Sequence, residues 1–248
     1  MSFLYGIHAV LEMLRAGPSR IERITIQRGL YGPRLQEAID LARRLRVPLS
    51  FEERAWLDRK AGGVRHQGIV CQVGESATLA AEDVVEQALS PGLILILDGI
   101  EDPQNLGAIL RSAEVAGADG VILPRRRSAG LTAAVVKSSA GAASHVKIAR
   151  ISGTNRAVEI VKKSGYWVTG LAVGAERQLW EVDFSMPTAL VLGAEGSGLH
   201  RLVRESCDFV VSIPARGKVS SYNASVAAGI ALYEVLRQRA STLSASER

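Results

Sequence analysis

Five consecutive aliphatic residues, Leu93-Ile94-Leu95-Ile96-Leu97, stand between Ser90-Pro91-Gly92 and a polar stretch that begins at Asp98. A strand with one wet face alternates apolar and polar residues. This run does not alternate, so it reads as a strand covered on both faces, the condition of a parallel sheet flanked by helices. The polar stretch Asp98 to Gly107 reads as a long turn, followed by a helix over Ala108 to Ala116, the turn Gly117-Ala118-Asp119-Gly120 and a second strand, Val121-Ile122-Leu123. Parallel neighbours need a crossover of this kind. Further strands are predicted at Ile148, Trp167 to Val173, Ala189 to Leu192 and Phe209 to Ile213. A helix through Val158 and Val161 and a closing helix from Val226 to Arg239 complete an α/β domain with a parallel sheet.

One stretch of that domain reads as a pocket built from backbone. The strand Ala189 to Leu192 is stopped by Gly193-Ala194-Glu195-Gly196-Ser197-Gly198-Leu199, where three glycines in six positions let the chain turn sharply or lie against a ligand. The next strand ends at Pro214, and the loop Arg216-Gly217-Lys218 leads to Ser220-Ser221-Tyr222-Asn223-Ala224-Ser225. Ser220 or Ser221 is the expected N-cap of the closing helix. The usual nucleotide loops are excluded. A dinucleotide fingerprint begun at Gly196 and Gly198 meets Arg201 where glycine is required, and a phosphate loop fails because Val219 follows Lys218. No serine nucleophile elbow occurs, since Gly196-Ser197-Gly198 lacks its spacers.

The first third of the chain is of a different kind. Residues 1–74 hold twelve Lys/Arg against seven Asp/Glu, whereas residues 75–248 hold eighteen of each, so the whole net charge of +5 lies in the first segment. Arginine dominates there, Arg20, Arg23 and Arg28 among it, and its planar fork suits phosphate. Helices are predicted over His8 to Arg15, from Pro33 through Leu45 and around Trp56, with strands at Ile21 to Ile26 and Gly68 to Val73. The expected organisation is a small basic α/β domain suited to nucleic acid (1–74), the alternative being a solvated charged surface, then a linker (75–78), a second domain (79–240) opened by a helix from Leu79 to Leu89, and a frayed tail (241–248). Arg125-Arg126-Arg127 falls at the C-terminal end of a predicted strand, where open sheets place ligands, and is a candidate for phosphate contact. The small residues from Ser128 to Ser144 permit close packing of elements.

Two cysteines, Cys71 and Cys207, and four scattered histidines share no metal spacing, so no metal site is expected and the cysteines read as buried hydrophobes. With no run long enough for a membrane span and no signal-peptide pattern, a cytoplasmic protein is expected. The polar residues left for chemistry are Asn105, Arg111, Glu195, Ser221 and Asn223, all near strand-to-helix turns. Six residues separate Asn105 from Arg111, allowing both to face one pocket from loop and early helix. Asn105 alone could be a turn residue, Ser221 an N-cap and Arg111 a solvated position. Glu195, in a tight and partly buried turn, needs a partner.

Three segments carry a resemblance: Asn105-Leu106-Gly107-Ala108-Ile109-Leu110-Arg111, Leu192-Gly193-Ala194-Glu195-Gly196-Ser197-Gly198-Leu199, and Ile213-Pro214 with Ser221-Tyr222-Asn223-Ala224-Ser225-Val226-Ala227. Their order and spacing resemble the three motifs of the SpoU/TrmH family of SPOUT RNA ribose 2'-O-methyltransferases, and residues 1–74 look like the RNA-binding domain of its RlmB branch. The third motif usually reads Ser-Leu-Asn-Val-Ser; Tyr222 and Ala224 stand here in the apolar places. The resemblance implies a trefoil-knotted domain, a homodimer with its pocket at the subunit interface, and S-adenosylmethionine as cofactor. By the same resemblance Gly193, Glu195, Gly196, Ile213, Pro214, Tyr222, Ala224 and Ser225 bind the cofactor, while Asn105, Arg111, Glu195, Ser221 and Asn223 form the catalytic set. It further implies a guanosine of 23S ribosomal RNA as substrate, the alternatives being transfer RNA or an RNA-binding homologue without catalysis.

Overall fold

The computed structural model describes residues 2–16, 18, 21–74, 78–196 and 198–246. The chain divides into two compact units, one of residues 1–77 with 131–137, the other of residues 78–130 with 138–248.

The first unit runs β1 (Ser2–Tyr5), α1 (Ile7–Ala16), β2 (Ile21–Gln27), α2 (Pro33–Arg44), β3 (Leu49–Glu52), α3 (Arg54–Ala61) and β4 (Ile69–Val73). The sheet order is β1-β4-β2-β3; β4 runs antiparallel to both its neighbours, and β2 and β3 are parallel. Helices α1 and α2 lay Val10, Leu14, Leu35 and Ile39 on Ile24, Ile26, Ile69 and Cys71 to form a single core. β1 was not expected, because four residues next to a helical pattern carry no periodicity of their own. Its pairing with β4 defines it.

The second unit contains α4 (Ala81–Glu86), β5 (Leu93–Asp98), α5 (Pro103–Val115), β6 (Gly120–Pro124), β7 (Ile148–Ile151), α7 (Thr154–Lys163), β8 (Trp167–Leu171), β9 (Arg177–Gln178), β10 (Thr188–Gly193), α8 (Arg201–Ser206), β11 (Phe209–Ser212) and α9 (Ala224–Ser246); α6 (Ala133–Ser138), which follows β6 in the chain, falls in the first unit except for Ser138. All seven strands are parallel, in the order β7-β6-β5-β10-β8-β11-β9. Every residue of β5 is buried, as its unbroken aliphatic run requires. The chain moves from β5 outward through β6 to β7, then returns on the other side, with β10 between β5 and β8. Ligands in such sheets sit beyond the strand C-termini at this reversal.

Several boundaries differ from the sequence reading. The helix expected from Ala108 begins at Pro103, with Asp102 as N-cap accepting a 3.0 Å hydrogen bond from the Asn105 N–H. Asp-Pro is a start signal, and the interior Gly107 is kept because a Cβ there would lie 1.8 Å from Ser138 Oγ. The first helix after the expected linker is shorter, since Leu79 makes a β-bridge to Ala149. Residues 75–77 of that linker lie outside the described residues. The closing helix runs to Ser246, through most of the expected frayed tail. No described helix is long and apolar enough to cross a membrane.

Candidate active site

The ends of β8 and β10 and the residues after β11 line a cavity of about 360 Å3 within the second unit. Its apolar wall is Leu171, Leu192, Leu199 and Ile213, and its mouth is formed by Glu195, Ser221 and Tyr222. The loop after β10 folds back on itself, with Gly198 N–H donating to the Ala194 carbonyl at 2.9 Å. The fold-back explains Gly193: a Cβ would lie 2.2 Å from Gly198 C and 2.5 Å from Leu199 N, so no larger residue fits without moving backbone. The same loop is tied to the sheet by Asp98, 4% exposed at the end of β5. Its carboxylate accepts from Thr154 Oγ1 at 2.8 Å and from His200 N and Nδ1 at 2.9 Å each. A buried carboxylate with three donors is stabilised in place.

At the cavity mouth one side-chain amide joins three elements. Asn223 Nδ2 donates to Asn105 Oδ1 of α5 at 2.9 Å and also to Glu195 Oε1 of the glycine loop. Its Oδ1 accepts from Ser225 N at 2.9 Å, Ser225 Oγ at 2.6 Å and Val226 N at 3.4 Å. Asn223 is therefore the N-cap of α9, in place of the expected Ser220 or Ser221, and its amide orientation is dictated from both ends. Glu195 Oε1 also accepts from Ala224 N at 3.2 Å, so its charge meets the positive end of the α9 dipole. Glu195 is exposed, not partly buried as expected, yet it has the partner its position called for. Glu195 Oε2 and Asn105 Nδ2 have no hydrogen bond among the described residues.

Of the residues assigned to the cofactor from sequence, Gly193, Glu195, Gly196, Ile213, Tyr222 and Ala224 line the cavity, as does Ser221 from the catalytic set. Pro214 and Ser225 do not. Pro214 instead accepts a 3.3 Å hydrogen bond from the Tyr222 hydroxyl, and Ser225 is turned back to the cap. That bond holds the Tyr222 ring in the wall, so an aromatic side chain occupies the place where leucine is usual. Ser197 lies outside the described residues. Asn105 and Arg111 do not share a face as expected: both are helical, and six residues at 100° each put them about 120° apart and roughly 9 Å along the axis. Asn105, 9% exposed, turns inward to Asn223; Arg111 is exposed and makes no hydrogen bond or ion pair among the described residues.

Two arginines escaped the sequence reading. Arg204 on α8 is the only cationic side chain in the described lining, and no signal marked it, since α8 itself was not expected. Arg150, at the end of β7, donates to the carbonyls of Pro124 at 3.1 Å and Ala129 at 3.5 Å and to Ser128 Oγ at 3.1 Å. It thereby staples the turn that carries Arg125, Arg126 and Arg127, whose side chains are all exposed. In the first unit Arg23 lies within β2 and Arg28 directly follows its last residue, while Arg20 lies outside the described residues. Cys71 is buried; Cys207 is only partly so.

With this geometry in view, residues 92–233 match the sequence model of the SpoU rRNA Methylase family, and residues 3–79 that of RNA 2'-O ribose methyltransferase substrate binding. The chain is 43% identical over 239 residues to the 23S rRNA (guanosine-2'-O-)-methyltransferase RlmB of Pseudomonas putida, covering 95% of this chain and 96% of that one. The Coxiella burnetii protein of the same name is likewise 43% identical, over 95% of both chains. Among solved structures, the SpoU methyltransferase AviRb from Streptomyces viridochromogenes in complex with the cofactor AdoMet superposes with a TM-score of 0.67 at 27% identity, covering 96% of this chain and 90% of that one. The chain belongs to the SpoU rRNA methylase family.

Proposed function

We propose that this protein transfers a methyl group from S-adenosylmethionine to the ribose 2'-hydroxyl of a guanosine in 23S ribosomal RNA, acting in the cytoplasm as a homodimer. The observation that carries the reading is the Asn223 amide, which brings Asn105, Glu195 and the α9 N-terminus together at the mouth of the cavity. The near full-length identity to RlmB proteins supports the choice of ribosomal over transfer RNA.

The cavity fits the cofactor. About 360 Å3 lies within the usual range for small-molecule sites, roughly 300–1,000 Å3. Gly193, Gly196 and Gly198 present bare backbone for an adenine edge, and Leu171, Leu192, Leu199 and Ile213 supply an apolar floor. One acidic and one basic side chain, Glu195 and Arg204, suit a ligand that carries both a sulfonium and a carboxylate. When bound, S-adenosylmethionine supplies a sulfonium-activated methyl open to in-line attack.

The chain's own residues position the nucleophile. Glu195 Oε2 and Asn105 Nδ2, left free by the Asn223 bridge, accept from and donate to the ribose hydroxyls. Ser221 holds the loop at the cavity mouth. Arg111 presents a cationic fork that stabilises negative charge developing on the ribose oxygen while the hydroxyl proton passes to solvent water. Arg111 does not line the cavity of its own chain, and the homodimer accounts for this. α5 exposes Val115, one turn on from Arg111, and α9 exposes Val226 and Tyr233, apolar side chains that a second copy covers. The trefoil knot belongs to the same reading, supported by the insertion of β10 between β5 and β8 and by the fold-back at Gly193.

The test is Arg111→Ala. Its methylation of 23S ribosomal RNA is expected to fall by about 100-fold or more, the loss of one preorganised donor, with cofactor affinity unchanged by calorimetry. Full turnover in that variant would remove Arg111 from the mechanism. Failure of the unaltered protein to methylate 23S ribosomal RNA would remove the proposed function.

A further inference from the structure

The loop joining β2 to α2, Arg28-Gly29-Leu30-Tyr31-Gly32, holds Tyr31 at 89% exposure with no hydrogen bond among the described residues. Phe51 on β3, paired in register with Ile26, is 43% exposed nearby. Two cavities, of about 450 and 530 Å3, meet at Gln27 and Leu30 and so form one groove. Tyr31, Phe51, Arg28 and Arg43 line the first cavity; Arg54 and Arg65 line the second.

The charges of this groove are available. The ion pairs of Arg28, Arg43 and Arg54 are long surface ones, at 3.8 Å to Glu53, 4.0 Å to Asp40 and 3.6 Å to Asp58, and Arg28 also donates to the exposed Phe51 carbonyl at 3.4 Å. Exposed pairs of this kind contribute little, so a phosphate can displace them. Arg65 has no ion pair or side-chain hydrogen bond among the described residues. Asp58, the one acidic residue of the lining, is already engaged at 2.8 Å by His66 Nε2.

We propose that this groove binds unpaired RNA nucleotides, a base stacking on Tyr31 and the flanking phosphates meeting Arg28 and Arg65. The inference rests on the RNA substrate proposed above and deepens it. An aromatic face with a basic track is the chemistry of single-strand recognition, because a base held in a duplex cannot lie on a side chain. An acidic peptide would use the arginines but leave the tyrosine idle.

The full-length protein is titrated against a fluorescein-labelled 12-nucleotide unstructured RNA, its blunt RNA duplex and a polyglutamate peptide of equal charge. The single strand is expected to bind more tightly than either. Tyr31→Ala should weaken single-strand binding about tenfold, Tyr31→Phe should stay within twofold, and cofactor affinity should match in all three proteins. With 23S ribosomal RNA as substrate, Tyr31→Ala should raise KM and leave kcat unchanged. Equal binding by Tyr31→Ala, an equal loss in Tyr31→Phe, or peptide or duplex bound as well as single strand would each overturn the inference. If the unaltered protein methylates 23S ribosomal RNA while Tyr31→Ala changes nothing, the groove fails and the enzyme reading stands. An unaltered protein that binds the oligonucleotide but methylates nothing fails in the opposite sense.

Discussion

Asn223→Asp separates the two jobs of a single side chain. The introduced side chain is isosteric and keeps the oxygen that caps α9, so the bonds from Ser225 N and Val226 N survive. What changes is the other end, where a donor is replaced by an oxygen facing Asn105 Oδ1 and Glu195 Oε1. The lost bond to Asn105 is worth about 1 kcal/mol, and the one to the carboxylate about 1.5 kcal/mol at this exposed site. Two like charges about 3 Å apart add roughly 1.4 kcal/mol even at the dielectric constant of water. Relaxation removes part of this, leaving an expected loss of about 3 kcal/mol at pH 7, or roughly 6–12 °C in Tm for a unit of this size. Asn223→Ser is the control: it caps equally well and loses both bonds of the bridge without adding charge, at no more than about 2.5 kcal/mol. The pH dependence gives a second reading. The introduced carboxyl titrates above its unfolded value of about 3.9 because Glu195 opposes its charge. The variant is therefore relatively most stable below that value and loses stability as pH rises through the folded one. Urea denaturation of the three proteins at pH 4.5 and 7 measures the effect. If Asn223→Asp proved as stable as the unaltered protein at pH 7, with no pH dependence relative to Asn223→Ser, the bridge would not exist.

Arg204→Gln should weaken S-adenosylmethionine binding about tenfold, the low end for a charge-assisted hydrogen bond at an exposed group, and leave affinity for the decarboxylated analogue within twofold. An equal loss for both ligands in calorimetry would detach Arg204 from the carboxylate. Burial pushes the Cys71 thiol up to about 12, and burial pushes that of Cys207 up to about 11 against the pull of Lys162. Both should resist a maleimide at pH 8 until the protein is denatured, and rapid labelling of the folded protein would contradict the burial. By linkage, the stability these thiols contribute is present below their unfolded pKa near 8.5 and is lost as pH rises towards the folded values, so the urea midpoint should be lower at pH 10 than at pH 7.

The β5 run, the Asp102-Pro103 start and the glycines after β10 are local signals, and each corresponds to an element of the fold. The start of α5 was legible but was outweighed by the surrounding polar residues and by Gly107, whose reason is a neighbour at Ser138. Ser220 and Ser221 are good N-caps by type, yet the cap is Asn223, because only there does the chain return to Asn105 and Glu195. Arg204 and Arg150 carried no sequence signal, since an arginine on a polar stretch reads as surface until its surroundings are known.

The sequence by itself determined a parallel α/β sheet, a basic first segment and a glycine-lined pocket, because apolar spacing, charge and turn chemistry act over a few residues. Which polar atoms meet was decided only by tertiary structure. Asn223 reaches an oxygen 118 positions away because β10 lies between β5 and β8, and a strand order of that kind leaves no periodicity in the chain.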